Sequence, residues 1–189
     1  MPDHEKDNLL VRLLGSPDPL QVDGLGGGFS STSKAMLVAP GHSNEADVSY
    51  LFAQVAVDKT LVDYTGNCGN LTSAVGPFAV DEGMVKVPNS NELSEAEVKC
   101  FNLNTKKHIL VRFPTRDGST HYRGSNDIEG VPRSGVPVEV VFLDPSGTAL
   151  GSPILEPTLQ VNLDGEKIDV SVVDVTSLYA FVTADALGL

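Results

Sequence analysis

The sequence predicts an α+β fold in which a β-sheet curls around one central helix. Three observations carry this. Leu71 to Asp81 is an apolar run with Ala74, Val75, Phe78 and Ala79 at helical spacing. From Val85 onward the pattern changes to short runs rich in Val, Ile, Phe and Tyr, the composition of strands. Between those runs stand the turn sequences Arg116-Asp117-Gly118, Asp144-Pro145-Ser146-Gly147 and Asp164-Gly165.

Asn8 to Leu14 is apolar with interspersed charges and reads as a short helix. Gly15-Ser16-Pro17-Asp18-Pro19 stops it, because proline and the residue before it resist helical geometry. Gly24 to Lys34 is a loop of glycines and hydroxyls. Ala35 to Ala39 is a strand that begins right after Lys34, and Tyr50 to Val57 is a second one, half or wholly buried. The turn Gly66-Asn67-Cys68-Gly69-Asn70 opens the central helix. That helix is apolar nearly all round and belongs in a core, with Gly76-Pro77 as a kink and Gly83 as its terminator. The later strands are Val98 to Leu103, His108 to Phe113, Val136 to Leu143, Ile168 to Val175 and Tyr179 to Thr183. Internal repeats and low-complexity tracts are absent.

A chain of 189 residues is long enough for a real core without disulfides, as one domain. The formal net charge of -12 argues against nucleic acid, which requires a basic face. A small acidic ligand remains compatible, since a pocket sets its own potential. Two cysteines do not make a secreted disulfide scaffold, and the polar, acidic start (Met1-Pro2-Asp3-His4-Glu5-Lys6-Asp7) is unlike a signal or transit peptide. Without a bilayer-length apolar segment, no membrane partner is expected, and the location is cytoplasmic. The sequon Asn70-Leu71-Thr72 is therefore expected to stay unmodified.

Cys68 lies between small turn-formers just before a helix start, where N–H groups and the helix dipole favour a thiolate or a bound anion. A buried structural cysteine is the commonest alternative, but a core cysteine is seldom flanked by Gly and Asn on both sides. For Cys100, mid-strand in Val98-Lys99-Cys100-Phe101, the structural role is expected. Lys34 ends a loop in which Gly26-Gly27-Gly28 and Ser31-Thr32-Ser33 could converge N–H groups on an anion. A lysine partly desolvated there can act as a base, whereas an ordinary lysine is solvated at a strand edge. The loop matches neither the P-loop nor the dinucleotide fingerprint. His4, His42, His108 and His121 lack metal-ligand spacing, with His108 a packing residue, and Asp47, Asp63 and Asp81 read as loop or cap residues. The site so drawn, Lys34 with Cys68, calls for neither metal nor cofactor.

Taken in order, GSPDPLQVDGLGGGFSSTSKAMLV (15–38), ADVSYLFAQVAVD (46–58), VDYTGNCGNLTSAVGPFAVDEG (62–83), GVPRSGVPVEVVFLDPSG (130–147) and KIDVSVVDV (167–175) resemble the PrpF family. That family includes methylaconitate cis-trans isomerase, methylitaconate and aconitate Δ-isomerases and oxalomesaconate tautomerase. The resemblance implies the diaminopimelate-epimerase-like fold, in which each lobe is a curled mixed sheet, an open barrel, around a central helix. It implies Lys34 and Cys68 as the proton-transfer pair. It also implies Asn67, Gly69 and Asn70 as holders of substrate carboxylates, together with Gly27, Ser31 and Ser33 of the glycine loop. The expected organisation is a single first-lobe unit over 1–189. The family's opening strand pair, with its Arg-Gly-Gly-Thr-Ser-Lys-Gly motif, and its second lobe are not found in the sequence.

The implied activity is a cofactor-independent shift of a double bond, or of its cis-trans geometry, in an unsaturated tricarboxylate such as aconitate or methylaconitate. Two other readings stand beside it. Amino-acid epimerisation uses a cysteine from each lobe. A truncated, catalytically inactive member would bind a tricarboxylate without turnover. A lobe without its partner exposes apolar cleft surface, so self-association into a homo-oligomer is expected.

Overall fold

Strand β2 (Val48–Val55) is covered on both sides. Val48 and Tyr50 pack on one face with Val75, Ala79 and Val80 of a helix, α3 (Val75–Asp81). Ala53 and Val55 pack on the other with Leu10, Val11 and Leu14 of α1 (Asp3–Leu14). A strand shielded on both faces is near-continuously apolar, and this is why the segment stands out in the sequence. The computed structural model describes residues 3–41, 45–154 and 158–189, so His42 lies outside the described residues.

The sheet is built outward from β2. β1 (Lys34–Pro40) runs antiparallel along one edge. The other edge is shared. β4 (Ser94–Asn102) pairs in parallel with the start of β2, in the register Val48↔Cys100 and Tyr50↔Asn102. The two-residue β3 (Val62–Asp63) pairs antiparallel with its end. β5 (Lys107–Arg116) continues from β4 and carries β6 (Ser119–Thr120) and β7 (Glu139–Phe142). The helix α3 touches β1 at one end of this order and β4, β5 and β6 at the other. One helix about 10 Å wide reaches strands spaced about 4.8 Å apart across a five-strand path only if the sheet curls around it. The architecture is thus the expected α+β arrangement of a curled mixed sheet on a central helix.

Three further strands, β8 (Leu159–Leu163), β9 (Glu166–Val175) and β10 (Ser177–Phe181), form an antiparallel sheet. Asp174 of β9 ties the chain after β7 to this sheet. Its shielded carboxylate accepts the N–H groups of Leu150 and Ala149 and the Thr148 hydroxyl, which hold its pKa below the usual range.

The central helix departs from expectation in two ways. It is broken into α2 (Gly69–Thr72) and α3, with Ser73 and Ala74 between. Pro77 is the reason. It cannot donate to the carbonyl of Ser73, and its ring would clash there in a continuous helix, yet in the first turn of α3 its missing N–H is no loss. Nor is the helix buried all round. Phe78 is 45% exposed, while Val75, Ala79 and Val80 are buried. Elsewhere the boundaries move. α1 begins at Asp3 rather than Asn8, with acidic Asp3 and Glu5 in its first turn where the helix dipole favours them. β2 runs 48–55 and β10 runs 177–181, each starting two residues before the expected strand. β7 covers only 139–142, because Pro137 offers no N–H to the ladder. Cys100 is fully buried in the α3-side core, and burial, with a contribution from Asp47, pushes its thiol up to about 12. That is the inert structural cysteine expected.

At Gly76, α3 packs closely on β5. A Cβ added there would stand 2.7 Å from Phe113 Cε1 and 3.0 Å from Val111 Cβ. Gly76→Ala is expected to lose roughly 1–3 kcal/mol in urea unfolding through overpacking. Unchanged stability would show that the helix does not seat on β5 as described.

Candidate active site

The loop leading to Lys34 is built around Gln21, which is buried and takes a left-handed φ of 50°. Its Oε1 accepts the Gly28 N–H at 2.9 Å and the Ser33 hydroxyl at 2.8 Å, and its Nε2 donates to Ser16 Oγ at 3.1 Å. The glycine N–H groups are used inside the loop. Leu25 and Gly26 donate to the carbonyls of Leu13 and Leu14, closing the end of α1, and Gly27 donates to Thr32 Oγ1. The anion-cradling role expected of the triple glycine is therefore not what these N–H groups do. Gly27 is held by Thr32, and Ser33 is fully buried with its hydroxyl on Gln21 and the Phe29 carbonyl, so both brace the loop. Ser31 stays exposed.

Lys34 is half-buried at the first position of β1. Its Nζ donates to the Ser30 carbonyl at 2.8 Å, which also accepts from Gln54 Nε2 at 3.0 Å. Among the described residues no carboxylate pairs with it. Strand alternation puts Lys34 on the same face as Met36 and Val38, which pack on the α3 side, whereas Ala35 and Leu37 pack toward α1.

Cys68 reaches that same side by another route. Where the partner of β2 changes from β4 to β3, the Asn104 side chain fills the gap. Its Oδ1 accepts the Phe52 N–H, and its Nδ2 donates to the carbonyls of Phe52 and Tyr64, each at 2.8 Å. This pins the chain that enters the cysteine turn. Cys68 is half-buried and extended (φ -129°, ψ 104°) at the N-cap of α2. Its carbonyl accepts both the N–H of Thr72 at 2.9 Å and its hydroxyl at 2.8 Å. The N–H groups of Gly69, Asn70 and Leu71 precede that first helical bond and have no acceptor within the helix. Asn67 is half-buried, whereas Gly69 and Asn70 are exposed. Leu71, Ala74, Val75 and Phe78 face Met36 and Val38 across an apolar groove of about 130 Å³. The site residues thus fall into two clusters, one at Lys34 on β1 with Ser31 and Ser33 in the turn before it, and one over Asn67–Asn70 at the start of α2.

Residues 1–189 match the family described as PrpF protein. The chain belongs to that family. It is 37% identical to the 4-oxalomesaconate tautomerase of Pseudomonas putida, over 97% of this chain and 49% of that protein. It is 39% identical to the 3-methylitaconate isomerase of Eubacterium barkeri, over 97% of this chain and 48% of that protein. A crystal structure of methylitaconate-delta-isomerase superposes with a TM-score of 0.75 at 36% identity, covering all of this chain and 49% of that one. The chain spans about half the length of the curated relatives it matches.

In this PrpF chain the residues that sequence reasoning missed are the polar ones that hold the two clusters: Gln21, Tyr50, Thr72, Asn102 and Asn104. Asn102 ends β4 and Asn104 lies in the turn after it, so in sequence both look like ordinary turn formers. Burial raises the pKa of Tyr50, keeping its hydroxyl a donor. Among the described residues, no group of three or more His, Cys, Asp or Glu side chains could hold a metal ion. No described helix is long and apolar enough to cross a membrane.

The glycines beside Cys68 have no packing reason. Neither takes a left-handed φ, and an added Cβ would meet nothing closer than Phe52 Cε1 at 3.5 Å for Gly66 or Phe142 Cζ at 3.9 Å for Gly69. Gly69→Ala and Gly66→Ala are therefore expected to melt at or above the temperature of the parent chain, in contrast to Gly76→Ala. A loss beyond about 1 kcal/mol would show that the turn needs them for folding.

Proposed function

We propose that this chain carries the proton-transfer site of a cofactor-independent isomerase or tautomerase acting on an unsaturated tricarboxylate of the aconitate or methylaconitate kind. Lys34 is the principal base. It takes a proton from a carbon next to a carboxylate or conjugated alkene, and the electron pair spreads into a dienolate-like intermediate. Cys68 is the partner that returns a proton at a different carbon, leaving the double bond moved or its geometry changed. Proton count and charge balance without an oxidant or a metal.

The observation that carries this reading is the pairing of Lys34, on the α3 side of β1, with a cysteine turn on that same side whose flanking glycines the fold does not require. Bare backbone beside a thiol lets a small carboxylate approach the main chain. The N–H groups of Gly69 and Asn70, with the Asn67 side chain, hold the carboxylates whose oxygens gather charge in the intermediate, the logic of an oxyanion hole. Ser31 and Asn70 are exposed and border the two clusters. The names of two matched relatives, a 4-oxalomesaconate tautomerase and a 2-methyl-aconitate isomerase, support the tricarboxylate class, and those naming methylitaconate, an unsaturated dicarboxylate, support the same kind of double-bond shift.

The test is incorporation of deuterium from heavy water into aconitate-type tricarboxylates, followed by NMR, with the 2-methyl-aconitate isomerase of Cupriavidus necator as the assay control. The chain is expected to exchange a substrate carbon-bound proton. Lys34→Ala should abolish that exchange, and Gly69→Ala should slow it at unchanged stability. Tight binding without exchange, or full exchange by Lys34→Ala, would overturn the reading.

A further inference from the structure

Asn102, the last residue of β4, is fully buried, and every hydrogen-bonding position of its amide is occupied. Its Oδ1 accepts the N–H of Asn104 at 2.8 Å and of Thr105 at 3.3 Å. Main-chain N–H groups can only donate, so this fixes which end of the amide is oxygen. Its Nδ2 must then face the other way, where it donates to Tyr50 Oη and to Asn67 Oδ1, each at 3.0 Å.

Two consequences follow in sequence. Tyr50 already accepts from Asn102, so its own hydrogen goes to Thr72 Oγ1 at 3.3 Å, and Thr72 passes its hydrogen to the Cys68 carbonyl at 2.8 Å. Asn67 must present oxygen to Asn102, so its NH2 group is turned away from the interior. Among the described residues that NH2 has no protein partner, yet no buried side-chain nitrogen or oxygen lacks one. The Asn67 Nδ2 therefore reaches solvent as an oriented, unused double donor one residue before Cys68.

We infer that Asn102 is a positioning residue for this site: it holds the Asn67 amide with its NH2 outward as a ready-made donor to a substrate carboxylate, and holds the Cys68 main chain through Tyr50 and Thr72. The inference rests on the proposed tricarboxylate reading for its ligand, but the orientation it claims belongs to the free protein. A donor fixed before binding loses no rotational freedom when the carboxylate arrives, and its partner is charged, so the bond is a strong one.

The informative variant is Asn102→Asp. It keeps an oxygen toward Asn104 and Thr105 but replaces the Nδ2 donor by an acceptor. The Asn67 amide then turns its NH2 inward and its oxygen toward the incoming carboxylate. Asn102→Ala, which adds no charge, is the second variant should the buried aspartate prevent folding. Calorimetry with aconitate is expected to show affinity reduced roughly tenfold to a hundredfold in either variant. In an Asn67→Ala background the same change at position 102 should cost clearly less, because the part of its effect that runs through Asn67 is already gone and only the part through Tyr50 and Thr72 is left. Affinity within twofold of the parent, or an equal loss in the Asn67→Ala background, would overturn the inference.

Side-chain NH2 resonances of the ligand-free protein separate the two claims. Two dispersed Asn67 signals that shift in both position-102 variants, reaching the random-coil position in Asn102→Ala, support positioning, even if the parent binds no tricarboxylate and the proposed function fails. Asn67 signals unmoved by either variant would overturn it regardless of binding.

Discussion

Strand β2 is shielded from water on both faces, and that double burial fixes where the strands and helices around it lie. Burying side chains of Val or Phe size contributes roughly 1.5–3 kcal/mol each, and β2 supplies them in both directions. Tyr50 and Val48 seat α3, and Ala53 and Val55 seat α1. Because side chains alternate, β2 cannot slip by a single residue without turning both layers inside out. Its two neighbours are thereby set in register. β1 delivers Lys34 opposite Gln54, and β4 delivers Asn102 opposite Tyr50.

The site sits where this apolar frame gives way to hydrogen bonds. Gln21 organises the glycine loop, and Asn102 and Asn104 organise the cysteine turn. These are amides, neutral groups that satisfy several donors and acceptors at once without the desolvation cost of a buried charge. The result is two braced segments bearing a lysine and a cysteine, with an apolar groove lined by Met36, Val38, Leu71 and Phe78 beside them.

The apolar frame was readable from the residues because period and composition report burial directly. The strands centred on Ala35–Ala39, His108–Phe113 and Ile168–Val175 fall inside β1, β5 and β9. What could not be read were features set by tertiary partners. The break at Ser73 depends on how Pro77 meets the turn before it. The short strands β3 and β6 have too few residues for a period to show. The cysteine turn and the lysine loop were visible from their unusual residues, but the amides behind them were not, because a buried asparagine at a strand end looks in sequence like an ordinary turn former. The glycines illustrate both outcomes. Gly27 and Gly28 looked like an anion cradle and are instead held by Thr32 and Gln21, whereas Gly66 and Gly69 have no structural demand on them.

The claim on which the account turns is that Lys34 and Cys68 serve one and the same bound molecule. Chemical footprinting by mass spectrometry tests it most directly: reductive methylation of lysines and alkylation of cysteines, across a titration with aconitate. The account predicts that labelling of Lys34 and Cys68 falls in parallel with one shared half-saturating concentration, while exposed lysines elsewhere are unaffected. Protection of one without the other, or of neither at saturation, would contradict it.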